Sequence, residues 1–90
     1  MQAVGRRPQA RSGLSTRVVK GETVVLDRDS HKVHQFNNTA GLIWSLCTGK
    51  LTEGEIAQRV VEKFDVEPAQ AAKDVKALLA QFLKLGLLGR

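Results

Sequence analysis

Ninety residues, 42% of them hydrophobic and 26% charged, describe one small globular domain near the lower limit for a single unstapled core. A single cysteine, Cys47, excludes an internal disulfide framework and a thiolate-rich zinc site. No segment approaches the roughly 18–20 consecutive apolar residues that cross a bilayer. Arg6, Arg7 and Arg11 have no apolar run behind them, so the start does not read as a secretory signal. The expectation is a cytoplasmic protein with no membrane partner. Of the formal charge of +5, residues 1–17 carry +4 through Arg6, Arg7, Arg11 and Arg17. Residues 18–90 hold ten basic and nine acidic side chains and are close to neutral. Residues 1–15, with Gly5, Pro8, Ser12 and Gly13 and few apolar side chains, therefore read as a disordered basic tail, and 16–90 as the folded domain.

Residues 16–20 and 23–27 are short β-branched runs separated by a turn at Gly21-Glu22. Arg28-Asp29-Ser30 is a polar turn, and residues 31–36 form a third strand with Lys32, His34 and Phe36 on one face and Val33 and Gln35 on the other. The period then changes. Asn37, Asn38 and Thr39 supply capping side chains for a helix whose apolar stripe is Ala40, Ile43, Leu46 and Cys47, ending at Thr48-Gly49. Thr52 and Glu55 have the spacing of a capping box, followed by the stripe Ile56, Ala57, Val60, Val61 and Phe64. Pro68 suits the first turn of a third helix, which Gly86 stops. The expected fold is α+β and winged-helix-like: a three-stranded antiparallel β-meander followed by a three-helix bundle.

The third helix carries more apolar surface than its packing requires. Ala71, Val75, Leu78, Leu79, Phe82, Leu83 and Leu85 cover an arc of roughly 160°, where a core-facing stripe needs about 100°. One flank could line a groove: Leu78 and Leu85 on the Asp74 and Gln81 side, or Leu79 and Leu83 on the Lys76 side. Catalytic chemistry is missing by comparison. There is no glycine-rich phosphate loop. His31 and His34, three apart on a strand, point to opposite faces and read as exposed residues that cannot share a metal. Cys47 and Trp44 read as core residues. No cofactor and no enzymatic activity are expected.

Residues 33–44 (Val33-His34-Gln35-Phe36-Asn37-Asn38-Thr39-Ala40-Gly41-Leu42-Ile43-Trp44) resemble the signature of the PqqD-like family. Residues 49–56 resemble its following capped helix, and Asp74-Val75, Leu78-Leu79, Phe82 and Gly86-Leu87-Leu88 its closing helix. The similarity spans roughly residues 16–88, with Phe36 where leucine is usual. The resemblance implies a recognition element for ribosomally made, post-translationally modified peptides. Such an element binds the leader of a precursor peptide and presents it to a modifying enzyme such as a radical-SAM maturase or a lasso-peptide protease or cyclase. It further implies that the leader adds as a strand to the edge formed by Lys32, Val33, His34, Gln35 and Phe36 and packs on the third helix. Taken with the over-wide arc, this gives Asp74, Leu78, Gln81 and Leu85 as the wall.

Two other readings share these features. A winged-helix DNA-binding regulator would need base-reading arginines, and the third helix offers lysines only, which argues against nucleic acid. A docking subunit that binds an enzyme without a peptide is the other. An unprotected edge also permits a homodimer.

Overall fold

Alternating burial makes the first half a sheet. In the computed structural model, which describes residues 7–89, the elements are β1 (Leu14–Val19), β2 (Glu22–Asp27), β3 (Lys32–Phe36), α1 (Asn38–Ser45), α2 (Glu53–Phe64) and α3 (Pro68–Lys84). The strands form one antiparallel sheet in the order β1-β2-β3. Thr23, Val25 and Asp27 of β2 are buried, and Val25 lies opposite His34 and Thr23 opposite Phe36. His34 and Phe36 therefore share the core face, while Leu26 and Val33 pair on the outer face.

The turns shift the expected strand limits by one or two residues. Val19 pairs with Glu22, leaving Lys20 and Gly21 as a two-residue hairpin loop with φ of 52° and 83°. That is the positive-φ pair that matches the twist of flanking strands. β1 begins at Leu14, inside the segment expected to be tail. His31, expected at the head of the third strand, has φ 58° and closes the β2–β3 turn instead. The Asp27 carboxylate organises this turn, with Oδ1 accepting the amides of Asp29 (3.1 Å) and Ser30 (3.3 Å).

The helix ends follow the capping residues. Asn37 Oδ1 accepts the amide of Ala40 at 2.9 Å, starting α1. α1 is only eight residues long, and its cap is Leu46 rather than the expected Thr48-Gly49. Thr52 and Glu55 form the full reciprocal capping box of α2. That pairing, chiefly the backbone amide of Thr52, lowers the pKa of the Glu55 carboxyl. Pro68 opens α3, and Gly86 follows it with φ 76°. A Cβ on Gly41 would lie 2.5 Å from Thr23 Oγ1, so the glycine allows α1 to sit close on β2.

The core joins the sheet to the helices through α1. Ile43, Ile56, Val60, Val75, Phe82 and Leu87 are fully buried. Trp44 and Cys47 belong to this core, as expected. Trp44 also donates its indole N–H to Thr16 Oγ1 at 3.1 Å, tying α1 to β1. Burial pushes the Cys47 thiol up to about 11.

The segment from Pro8 to Arg11 is the main departure from expectation. Residues 1–6 of the expected tail lie outside the described residues. From Pro8 onward, however, the segment is laced to the domain. The Gly49 amide donates to Pro8 O (2.9 Å), Ala10 to Cys47 O (2.9 Å), Arg11 to Leu87 O (3.0 Å) and Gly89 to Gln9 O (2.7 Å). Residues 8–11 thus form a strap joining the α1–α2 loop to the segment after α3. Gln9 is exposed while the strap's backbone pairs with both neighbours, which composition alone does not reveal.

Candidate functional site: the β3 edge and the α3 flank

β3 hydrogen-bonds to β2 only, so along its other side the outward amides and carbonyls of Lys32–Phe36 have no strand partner among the described residues. β1 is the sheet's other edge, and the Trp44–Thr16 hydrogen bond ties it to α1. β3 leads directly into α1, and its Phe36 ring meets Phe82 of α3. An added strand at β3 would therefore meet backbone groups and a helix surface together.

The side chains of β3 divide by face. Val33 is 63% exposed and pairs on the outer face with Leu26, which is 38% exposed. Gln35 is exposed and donates to Glu22 Oε1, and Lys32 is exposed at the strand's start. On the core side, Phe36 is buried, its ring centroid 5.0 Å from Phe82 and 6.1 Å from Trp44; Trp44 and Phe82 meet edge to face at 5.3 Å. These three rings fasten sheet, α1 and α3 at one point.

His34 corrects the expectation of an exposed strand histidine. Its register opposite Val25 turns it toward the core, where it is half-buried and stacked on Phe36 at 6.5 Å. Its Nε2 is buried without a hydrogen-bond partner among the described residues. His31, by contrast, is exposed in the turn. Among the described residues no cluster of His, Cys, Asp or Glu could hold a metal ion.

α3 buries Ala71, Val75, Leu79 and Phe82 and leaves leucines on both flanks of that stripe. Leu78 and Leu85 lie four residues before and three after Phe82, so they flank the ring that touches β3. Leu78 is half-buried, and Leu85 is 40% exposed. Asp74 is half-buried and accepts from Gln70 Nε2 at 2.8 Å, and Gln81 is exposed on the same side. Leu83, 61% exposed, lies on the opposite flank. There, with Lys76, Leu79, Pro8 and Leu88, it lines an open cavity of about 470 Å³. A second hollow of about 400 Å³ lies between Val18, Gly41, Leu42 and Phe64. Neither includes β3, and neither needs to, because strand addition uses an open edge rather than an enclosed cavity. Phe36 of β3 thus meets Phe82, Leu78 and Leu85 lie one helical turn to either side of Phe82, and Leu83 lines the cavity on the opposite flank.

Sequence reasoning missed Arg11. Its Nη2 donates to Asp27 Oδ2 at 2.5 Å and its Nε to the carbonyl of Gly86 at 2.6 Å. The Arg11 hydrogen bond holds the Asp27 carboxyl well down, at about 2. The only sequence signal was an arginine in a basic segment and an aspartate at a turn, both commonplace.

This architecture defines a class: an α+β domain in which a three-stranded antiparallel sheet precedes three helices, with β3 as an edge strand leading into them. The family of coenzyme PQQ synthesis protein D (PqqD) matches residues 22–88, and the chain belongs to it. Among solved structures it is similar to a lasso peptide synthetase B1 complexed with the leader peptide. Identity there is 25%, over 93% of this chain and 99% of that one, with a TM-score of 0.82. It is similar too to TbiB1 in complex with the TbiA(beta) leader peptide (18% identity, 89% and 93% covered, TM-score 0.80). A third likeness is the PqqD truncation of Methylobacterium extorquens PqqCD. That protein is described as a functional and stand-alone recognition element for ribosomally synthesised and post-translationally modified peptides (22% identity, 100% of both chains, TM-score 0.76). At 18% and 22% identity the latter two speak for the fold. No curated protein matches the sequence.

Proposed function

We propose that this chain binds the leader segment of a ribosomally synthesised precursor peptide by strand addition to β3 and presents it to a modifying enzyme, without catalysing a reaction itself. The observation that carries the reading is the pairing of an unpartnered strand edge with an apolar helix flank. Membership of the PqqD family supports it, as does the similar lasso peptide synthetase B1 structure that holds a leader peptide. Backbone groups of Lys32–Phe36 would supply affinity largely independent of peptide sequence. Phe36, Leu78 and Leu85, with Asp74 and Gln81 at the margin, would select side chains on one face of the added strand.

The site's chemistry is suited to holding, not transforming. It offers apolar side chains, backbone groups, the Gln81 amide, an Asp74 carboxylate already bonded to Gln70, and the His34 imidazole. The test is titration of a labelled leader peptide against the wild type and Val33→Pro. Proline removes one backbone donor and disfavours continued strand geometry at an exposed position. Binding by the wild type with weakened binding by Val33→Pro, the helices persisting by circular dichroism, is expected. Equal affinity of the two would remove β3 as the docking edge.

A further inference from the structure

The two sides of the proposed binding site have no direct backbone contact. No Cα of β3 lies within 8 Å of a Cα of α3, so side chains must set their separation. At one end the spacer is Phe36 against Phe82. At the Lys32 end it is Arg11. Its Nε donates to the carbonyl of Gly86, two residues beyond α3, and its Nη2 to the carboxylate of Asp27. Asp27 is the cross-strand partner of Lys32 and holds the turn leading into β3 through the amides of Asp29 and Ser30.

The arginine is itself fixed. Nη1 donates to the carbonyl of Ser12 at 2.9 Å, and the backbone on its N-terminal side is pinned to Cys47 and Leu87. Its side chain is 27% exposed and that of Asp27 6%, so the pair is partly shielded from solvent. A guanidinium can reach two acceptors in one plane with a set angle between them, whereas an ammonium is a single point charge on a flexible stem. The strap lies ahead of residues 22–88, the region that matches the family.

We propose that Arg11 is a positioning residue that sets the spacing between the start of β3 and the end of α3, and so the opening a peptide strand enters. The inference rests on the peptide-binding reading for its functional consequence. Its structural half stands separately.

The test has two arms. Nitroxide labels at Arg28→Cys and Lys84→Cys, both exposed, report the spacing in the free protein by pulsed dipolar spectroscopy, while Cys47 stays buried. Arg11→Ala and Arg11→Lys should both broaden a narrow wild-type distance distribution, since lysine keeps the charge but loses the fork. In the second arm, anisotropy of a fluorescein-labelled synthetic leader, taken from the precursor gene nearest to this one, should show affinity about tenfold weaker in both variants. Thermal melts should show Arg11→Lys nearer the wild type than Arg11→Ala, separating lost spacing from lost stability. An unchanged distance distribution overturns the proposal whether or not the peptide binds. Broadened distances with unchanged peptide affinity also overturn it. A wild type that binds no leader, with broadened distances in the variants, refutes the peptide reading and the role of the opening while leaving the clamp as structure.

Discussion

Truncating Leu83, near the end of α3, and Leu85, its C-cap, separates the flank proposed to meet the peptide from the flank beside the strap. Leu85 is 40% exposed and Leu83 61%, so exposure alone would give Leu83 the larger role in any apolar contact. The proposed peptide site reverses that order, because Leu85 lies one turn from Phe82, the ring that meets Phe36 of β3, whereas Leu83 lines the cavity with Pro8 and Leu88. Fully burying a leucine contributes roughly 1.5–3 kcal/mol, so covering the remaining 40% of Leu85 is worth roughly 0.6–1.2 kcal/mol. Leu85→Ala should therefore weaken a leader peptide roughly 3- to 8-fold. Leu83→Ala should leave affinity within experimental scatter. Fluorescence anisotropy with the same labelled peptide reads both. A larger loss for Leu83→Ala would refute the assignment and move the peptide to the strap side of α3.

Four further outcomes follow from the packing and the charges. Gly41→Ala forces a Cβ against Thr23, and overpacking of about 1–3 kcal/mol should outweigh the helix-propensity gain of up to about 1 kcal/mol, lowering the midpoint of thermal unfolding. Thr52→Ala removes the capping box of α2 and should destabilise the fold by about 1 kcal/mol in urea titrations. The folded Asp27 carboxyl lies at about 2, below its ordinary 3.8, so its contribution is complete above 3.8 and is lost as pH falls toward 2. Acid unfolding of Asp27→Asn should lack that phase. The Cys47 thiol, pushed up to about 11 by burial, should react with a disulfide reagent at pH 8 only as fast as the protein opens, and denaturant should speed it sharply.

Local signals were legible in the sequence and long-range ones were not. Thr52 with Glu55, Pro68 and Gly86 mark helix ends through bonds spanning a few residues, and each stands where the spacing placed it. Lys20 and His31 adopt positive φ without being glycine, and so the strand limits near them shifted. His34 was placed on the same face as Phe36 by alternation, yet its burial depended on Val25 lying opposite, a matter of register. The width of the apolar arc of α3 was real, since Leu83 and Leu85 remain exposed after the core is filled. The strap was invisible because its side chains look like those of a tail. What orders it is backbone pairing with Cys47 and Leu87 and an arginine bonded to Gly86, 75 residues away.

The most direct measurement is a paired titration of the wild-type protein with a labelled leader peptide and with a random DNA duplex of similar label, at low and raised salt. Saturable peptide binding that persists as salt rises is expected, because strand addition depends on backbone hydrogen bonds and apolar contact. The duplex should bind weakly and lose that binding with salt as counterions compete. Tight duplex binding with no response to the peptide would contradict the account and make the bare edge of β3 incidental to what the protein does.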